Sequence, residues 1–90
     1  MKADRAQITR LLKTARGQID GLLRMVEEDR YCIDISNQLM AADAILRKAN
    51  REVLRAHLEG CVRDAFEGAN EEEKDRKIAE ILGAMDSLSR

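Results

Sequence analysis

The chain has 90 residues, of which 44% are hydrophobic, 37% charged and only 2% aromatic, with neither Pro nor Trp. That length suits a single domain over residues 1–90 with a small core, so self-association is expected from the outset. A formal net charge of -1 gives no bulk attraction for nucleic acid, and no segment is apolar enough to span a membrane.

The start, MKADRAQITR, lacks the apolar run of a signal peptide, so a cytoplasmic protein with reduced thiols is expected. A composition rich in Ala, Leu, Ile, Glu, Lys and Arg predicts an all-α fold. The first predicted helix runs from about Asp4 to Glu28. In it Ile8, Leu11, Leu12, Ala15, Ile19, Leu22, Leu23 and Val26 recur at three- and four-residue steps and form one apolar stripe about 120° wide. Asp29 is the expected N-cap of a second helix reaching Glu67. Its apolar positions Ile35, Leu39, Ala42, Leu46, Ala49 and Val53 lie close to a heptad pattern, and Leu54, Leu58, Val62 and Phe66 widen that face near the end. Such a helix is about 55 Å long, more than a compact domain of this size needs. Gly68 is the expected stop, and Asn70 with Glu73 makes a capping-box-like start for a third helix. Ile78, Ile81, Leu82 and Met85 are expected to form its buried side.

Cys32, His57 and Cys61 are the two cysteines and the single histidine of the chain. His57 and Cys61, four apart on a helix, share a face and can hold one metal ion. Cys32 precedes His57 by 25 residues, which on a straight helix is about 37 Å along the axis. No ion bridges that distance. Yet 25 and 29 residues each return the helix to within about 20° of its starting direction, so all three side chains point along one stripe. An antiparallel copy, related by a twofold axis near Ile45 and Leu46, would set Cys32 of one chain beside His57 and Cys61 of the other, twice per dimer. Two thiolates and an imidazole suit Cu(I), or Zn(II) with a fourth ligand. The same residues also suit a packed interior, since cysteine is a small hydrophobe and a heptad core places any buried residues on one stripe.

Positive charge is unevenly distributed. Lys2, Arg5, Arg10, Lys13, Arg16 and Arg24 fall in an arc of about 140° on the first helix, opposite its apolar stripe, while Arg47, Lys48, Arg51 and Arg55 cluster on the second. Such faces can neutralise phosphates, and they are equally the solvated side of any helix. No helix-turn-helix, zinc-finger or aromatic stacking motif accompanies them, so DNA would be held mostly through phosphates and read through its shape. A Cys–His nucleophilic pair is conceivable chemistry, but no oxyanion-hole segment accompanies it, and an enzyme is not expected.

The stretches RLLKTARGQIDGLLRMVEEDRYCIDISNQ and ANREVLRAHLEGCV resemble the CsoR/RcnR/FrmR family of bacterial metal- and thiol-sensing repressors, and the resemblance covers nearly the whole chain. It implies three helices per chain, an antiparallel dimer built on the long second helix, and a tetramer of two such dimers. The Cys, His, Cys order of Cys32, His57 and Cys61 is similar to that of the copper-sensing branch. There a metal-free repressor holds operator DNA and Cu(I) releases it. Tyr31 and Glu80 match positions proposed in that branch to connect the bound ion to the DNA-binding state. Arg10, Lys13, Arg16, Lys48, Arg51 and Arg55 are the DNA-contact candidates. The chain departs from many relatives in having Leu11 where an Arg is common, and Lys48 where some copper sensors have Arg. The alternative within the family is a persulfide or other thiol-reactive sensor working through Cys32 and Cys61.

Overall fold

The computed structural model describes residues 1–67 and 71–88. All regular structure among them is helical: α1 spans Arg5–Glu27, α2 Cys32–Phe66 and α3 Glu71–Leu88. The expected stop at Gly68, the cap at Asn70 and the side chains of Val62 and Phe66 lie outside the described residues. Among those residues no helix is long and apolar enough to cross a membrane.

The chain divides into two compact units. One, Asp4–Asn50, holds α1 and the first part of α2; the other holds Met1–Ala3 and everything from Arg51 onward. In the first unit the buried residues recur at seven-residue intervals: Ile8, Ala15 and Leu22 on α1, Ala42 and Ala49 on α2. This is the spacing of a helical seam, and the alanines in it allow backbones to approach closely. The single stripe expected on α1 is therefore divided. Leu12, Ile19, Leu23 and Val26 remain 45–61% exposed, because one neighbouring helix covers only part of a stripe that wide. Leu39 and Leu46 on α2 are likewise 54% and 42% exposed.

Asp4 caps α1, its carboxylate accepting the Ala6 N–H at 3.0 Å. The turn that follows α1 corrects the role expected for Asp29. Asp29 has a φ of 52°, in the left-handed region, and its N–H donates to the Val26 carbonyl at 3.1 Å, while the Arg30 N–H donates to that of Met25 at 3.0 Å. Those paired bonds form a Schellman stop for α1. The residue before α2 is Tyr31, whose carbonyl accepts the N–H groups of Asp34 and Ile35 at 3.0 and 3.2 Å. Asp29 closes one helix rather than opening the next because the reversal needs one left-handed residue, and an aspartate tolerates that conformation better than its bulkier neighbours. Asp29→Gly is expected to leave thermal stability unchanged or raise it, and Asp29→Val to cost about 1–2 kcal/mol, as read by urea denaturation.

In the second unit α3 begins with Glu71, Glu72 and Glu73, which complement the positive end of its dipole. Its buried side differs from the one expected. Ile81 is half-buried, but Ile78, Leu82 and Met85 are 54%, 61% and 55% exposed. The three exposed residues sit within about 60° of one another, so they form an apolar face that the described residues leave more than half open.

Candidate metal centre

His57 and Cys61 lie one turn apart on α2. The His57 Nε2 and Cys61 Sγ atoms are 3.5 Å apart. An ion bonded to a histidine nitrogen at about 2.0 Å and a thiolate at about 2.3 Å, in tetrahedral or trigonal geometry, separates the two donors by about 3.5–3.7 Å. The separation of the two donors thus suits one soft ion. Cys61 is buried, 5% exposed, and Cys32 is exposed; neither is in a disulfide.

Glu80 of α3 reaches this pair. Its Oε1 lies 2.6 Å from His57 Nε2, and its Oε2 lies 3.8 Å from Lys77 Nζ. The His57 hydrogen bond first, and the Lys77 ammonium second, hold the Glu80 carboxyl below the ordinary carboxylate range. A carboxylate with a lowered pKa supports the fold above its unfolded pKa, and that support fades as pH falls through the lowered value. The protection of α3 amides, taken relative to their intrinsic exchange rates, is therefore expected to fall at acid pH in the parent, and to be lower but less acid-sensitive in Glu80→Gln. Nitrogen Nε2 serves one partner at a time. When it carries the proton it donates to Glu80 and only Nδ1 offers a lone pair; an ion on Nε2 requires Glu80 to let go.

Two further candidates belong to the other unit. Cys32 is the first residue of α2 and belongs to the other unit, as does Tyr31, which is 66% exposed. Among the described residues no group of three or more His, Cys, Asp and Glu side chains could hold a metal within one chain. The pair on α2 is one sulfur short of the set read from the sequence.

Of the basic candidates, Arg10, Lys13, Arg16, Lys48 and Arg51 are exposed, and no ion pair among the described residues engages them. Arg55 is different. Its guanidinium is clasped by Glu52 at 2.8 Å and Glu59 at 2.7 Å, and these two hydrogen bonds raise its pKa further. The spacing of Glu52, Arg55 and Glu59, at i-3 and i+4, announces that clasp in the sequence. Two other residues lie near the pair: Lys77, which the sequence reading does not single out, and Lys2, expected there only as part of the basic arc of the first helix. Lys77 is signalled by its i,i+3 relation to Glu80. Lys2 packs on Gly60 in a contact that no local spacing foretells.

Comparison with known proteins places the chain in a family. Residues 4–87 match the family described as metal-sensitive transcriptional repressor. The chain is 53% identical over 57 residues to the copper-sensing transcriptional repressor CsoR of Mycobacterium ulcerans, a match covering 63% of this chain and 48% of that protein. The matched stretch thus spans about half the length of that mycobacterial relative. Against the copper-sensing repressor CsoR of Bacillus subtilis identity is 35% over 87 residues, 97% of this chain and 83% of that one. The copper-sensing repressor RicR of Mycobacterium tuberculosis is 40% identical over 80 residues, 88% of this chain and 81% of that one. Among solved structures, that of the nickel-responsive transcriptional regulator InrS superposes with a TM-score of 0.81 at 25% identity, covering 98% of this chain and 96% of that one.

Proposed function

The chain belongs to the metal-sensitive transcriptional repressors, a family of regulators and not of enzymes, and from that premise we propose that it is a cytoplasmic, copper(I)-responsive repressor. Its metal-free form binds operator DNA. Cys32 of one protomer, with His57 and Cys61 of its partner, takes up Cu(I), and the protein then leaves the DNA.

The observation that carries this reading is the His57–Cys61 pair, two soft donors at the separation one ion requires. Copper-sensing relatives match the chain, one of them over 97% of its length. Two thiolates and an imidazole favour Cu(I) over harder divalent ions. The missing sulfur is supplied by an antiparallel second copy, which the exposed leucines of α2 invite. Assembly as a dimer, or as a dimer of dimers, also gives the exposed faces of α1 and α3 something to cover. Arg10, Lys13, Arg16, Lys48 and Arg51 are free to pair with phosphates; Arg55 joins them by exchanging its glutamates for DNA oxygens. Glu80 links the ligand His57 to α3, and Tyr31, next to Cys32, stands beside the other ligand; through these two the bound ion would alter the DNA-binding state.

The deciding experiment is an anaerobic titration of the reduced protein with Cu(I), followed by fluorescence anisotropy of the DNA upstream of its gene. Release at about one ion per chain is the expected result. Release by a persulfide donor but not by Cu(I), dependent on Cys32 and Cys61, would replace copper with a thiol-reactive inducer.

A further inference from the structure

On the part of α2 that belongs to the first unit, the uncovered apolar residues fall on two sides. Leu39 and Leu46 point within about 20° of each other; Ile33 and Met40, both more than half exposed, do likewise about 120° further round the helix. Two opposite charges stand in the gap between those sides: Asp43 and Arg47, one turn apart. Arg47 Nε donates to Asp43 Oδ2 at 2.8 Å, and both side chains remain more than half exposed. That bond uses one corner of the guanidinium. Among the described residues no other hydrogen bond engages it, so its two terminal nitrogens are open, as is Asp43 Oδ1. A solvated ion pair contributes little to one chain. Its place in the middle of an uncovered apolar face gives it a larger role once a second copy covers that face.

The midpoint of Asp43 and Arg47 is Ile45, where the axis of the antiparallel pairing also falls. About a twofold axis there, Cys32 of one copy is level with Leu58 of the other, between His57 and Cys61, and Asp43 is level with Arg47. We propose that Asp43 and Arg47 set the register of two antiparallel copies of α2. Each carboxylate is held between the guanidinium of its own chain and that of the other, in a ring of four alternating charges around the axis. The placing of that axis rests on the metal centre proposed above. Apolar contact is non-directional, and leucines facing leucines can slide. A slip of one helical turn, about 6 Å, sets Arg47 against Arg47 or Asp43 against Asp43, and a parallel pairing in register does both. The same slip carries Cys32 a full turn away from His57 and Cys61. The register that the charges select is the one that completes the centre.

The test needs no metal. Asp43→Arg gives a full chain with two cations on this face, and Arg47→Asp one with two anions. Neither variant is expected to pair well with itself: sedimentation velocity of each alone should show a dissociation constant raised at least about tenfold over the parent. An equimolar mixture of the two is expected to recover the parent's association. Every cation then faces an anion across the axis, although neither chain keeps an ion pair of its own. Circular dichroism establishes that each variant is folded. Register is read in the mixture by oxidation with diamide, which takes two hydrogens from a pair of thiols; peptide mapping is expected to find Cys32 of one chain joined to Cys61 of the other. Single variants as oligomeric as the parent overturn the proposal, and so does a mixture no better associated than its components. A mixture that associates without the Cys32–Cys61 link overturns it as well. Cu(I) titration of the mixture separates the two ideas. Restored association and the link, without Cu(I) binding, keep the register and remove the copper reading; single variants that stay oligomeric and bind Cu(I) remove the register device alone.

Discussion

Replacing His57 with alanine is expected to abolish the release of operator DNA by Cu(I) while leaving the metal-free protein able to bind it. The imidazole side chain is 40% exposed and contributes little to the core, so its loss is borne by the centre and by the Glu80 contact. Removing one of three ligands is expected to weaken Cu(I) at least about a hundredfold, since even the loss of a residue that only orients a ligand costs 10–100-fold. Coupling between ion and DNA of about 1–3 kcal/mol corresponds to a 5–150-fold fall in DNA affinity. By reciprocity the DNA-bound parent binds Cu(I) more weakly by that same factor, and His57→Ala should show neither half of the coupling. Anisotropy of labelled DNA measures the first half, and competition with a Cu(I) chelator the second. Normal Cu(I)-driven release from His57→Ala would remove His57 from the centre.

The second large effect concerns the exposed leucines of α2. Leu39 and Leu46 retain 54% and 42% of their surface to water within one chain, seven residues apart on the helix. Covering the remainder against a second copy is worth about 1 kcal/mol for each leucine, on the basis of buried apolar area. A twofold interface uses each residue twice, so Leu39→Glu/Leu46→Glu removes about 4 kcal/mol from a dimer, on the order of a thousandfold in its association constant. Sedimentation velocity at micromolar concentration is expected to show monomer where the parent is oligomeric. Tight Cu(I) binding should disappear with the dimer even though Cys32, His57 and Cys61 are all intact. A double variant that stayed oligomeric would move the interface to the apolar faces of α1 or α3.

Most of the helical framework was legible because its signals are local. Asp4 before an amphipathic run marks the start of α1, and the four-residue spacing of His57 and Cys61 guarantees a shared face. Asp29 was misread because an aspartate at a helix junction serves equally as the cap of the next helix or as the left-handed stop of the last. Only the backbone path decides between them. The buried side of α3 was misread for a different reason. Ile78, Ile81, Leu82 and Met85 are all apolar, and apolarity states that a side chain will be covered but not by which chain. Glu80 was singled out by family resemblance alone; its 2.6 Å approach to His57 joins residues 23 apart in sequence, a pairing that periodicity does not encode. The contact of Lys2 with Gly60 is of the same long-range kind.

The seam of Ile8, Ala15, Leu22, Ala42 and Ala49 has one further consequence. Alanine removes little apolar surface from water, and among the described residues no large side chain is completely buried. The alanines of this seam therefore contribute little to a single copy, and association that covers Leu39 and Leu46 would add to the free energy that holds the helices. For such a protein, folding and assembly form one mass-action equilibrium, and its melting temperature climbs with concentration. Copy number in the cell then becomes a variable of the regulator itself: dilution by growth and division would erode the pool of folded repressor even when the supply of inducer is constant.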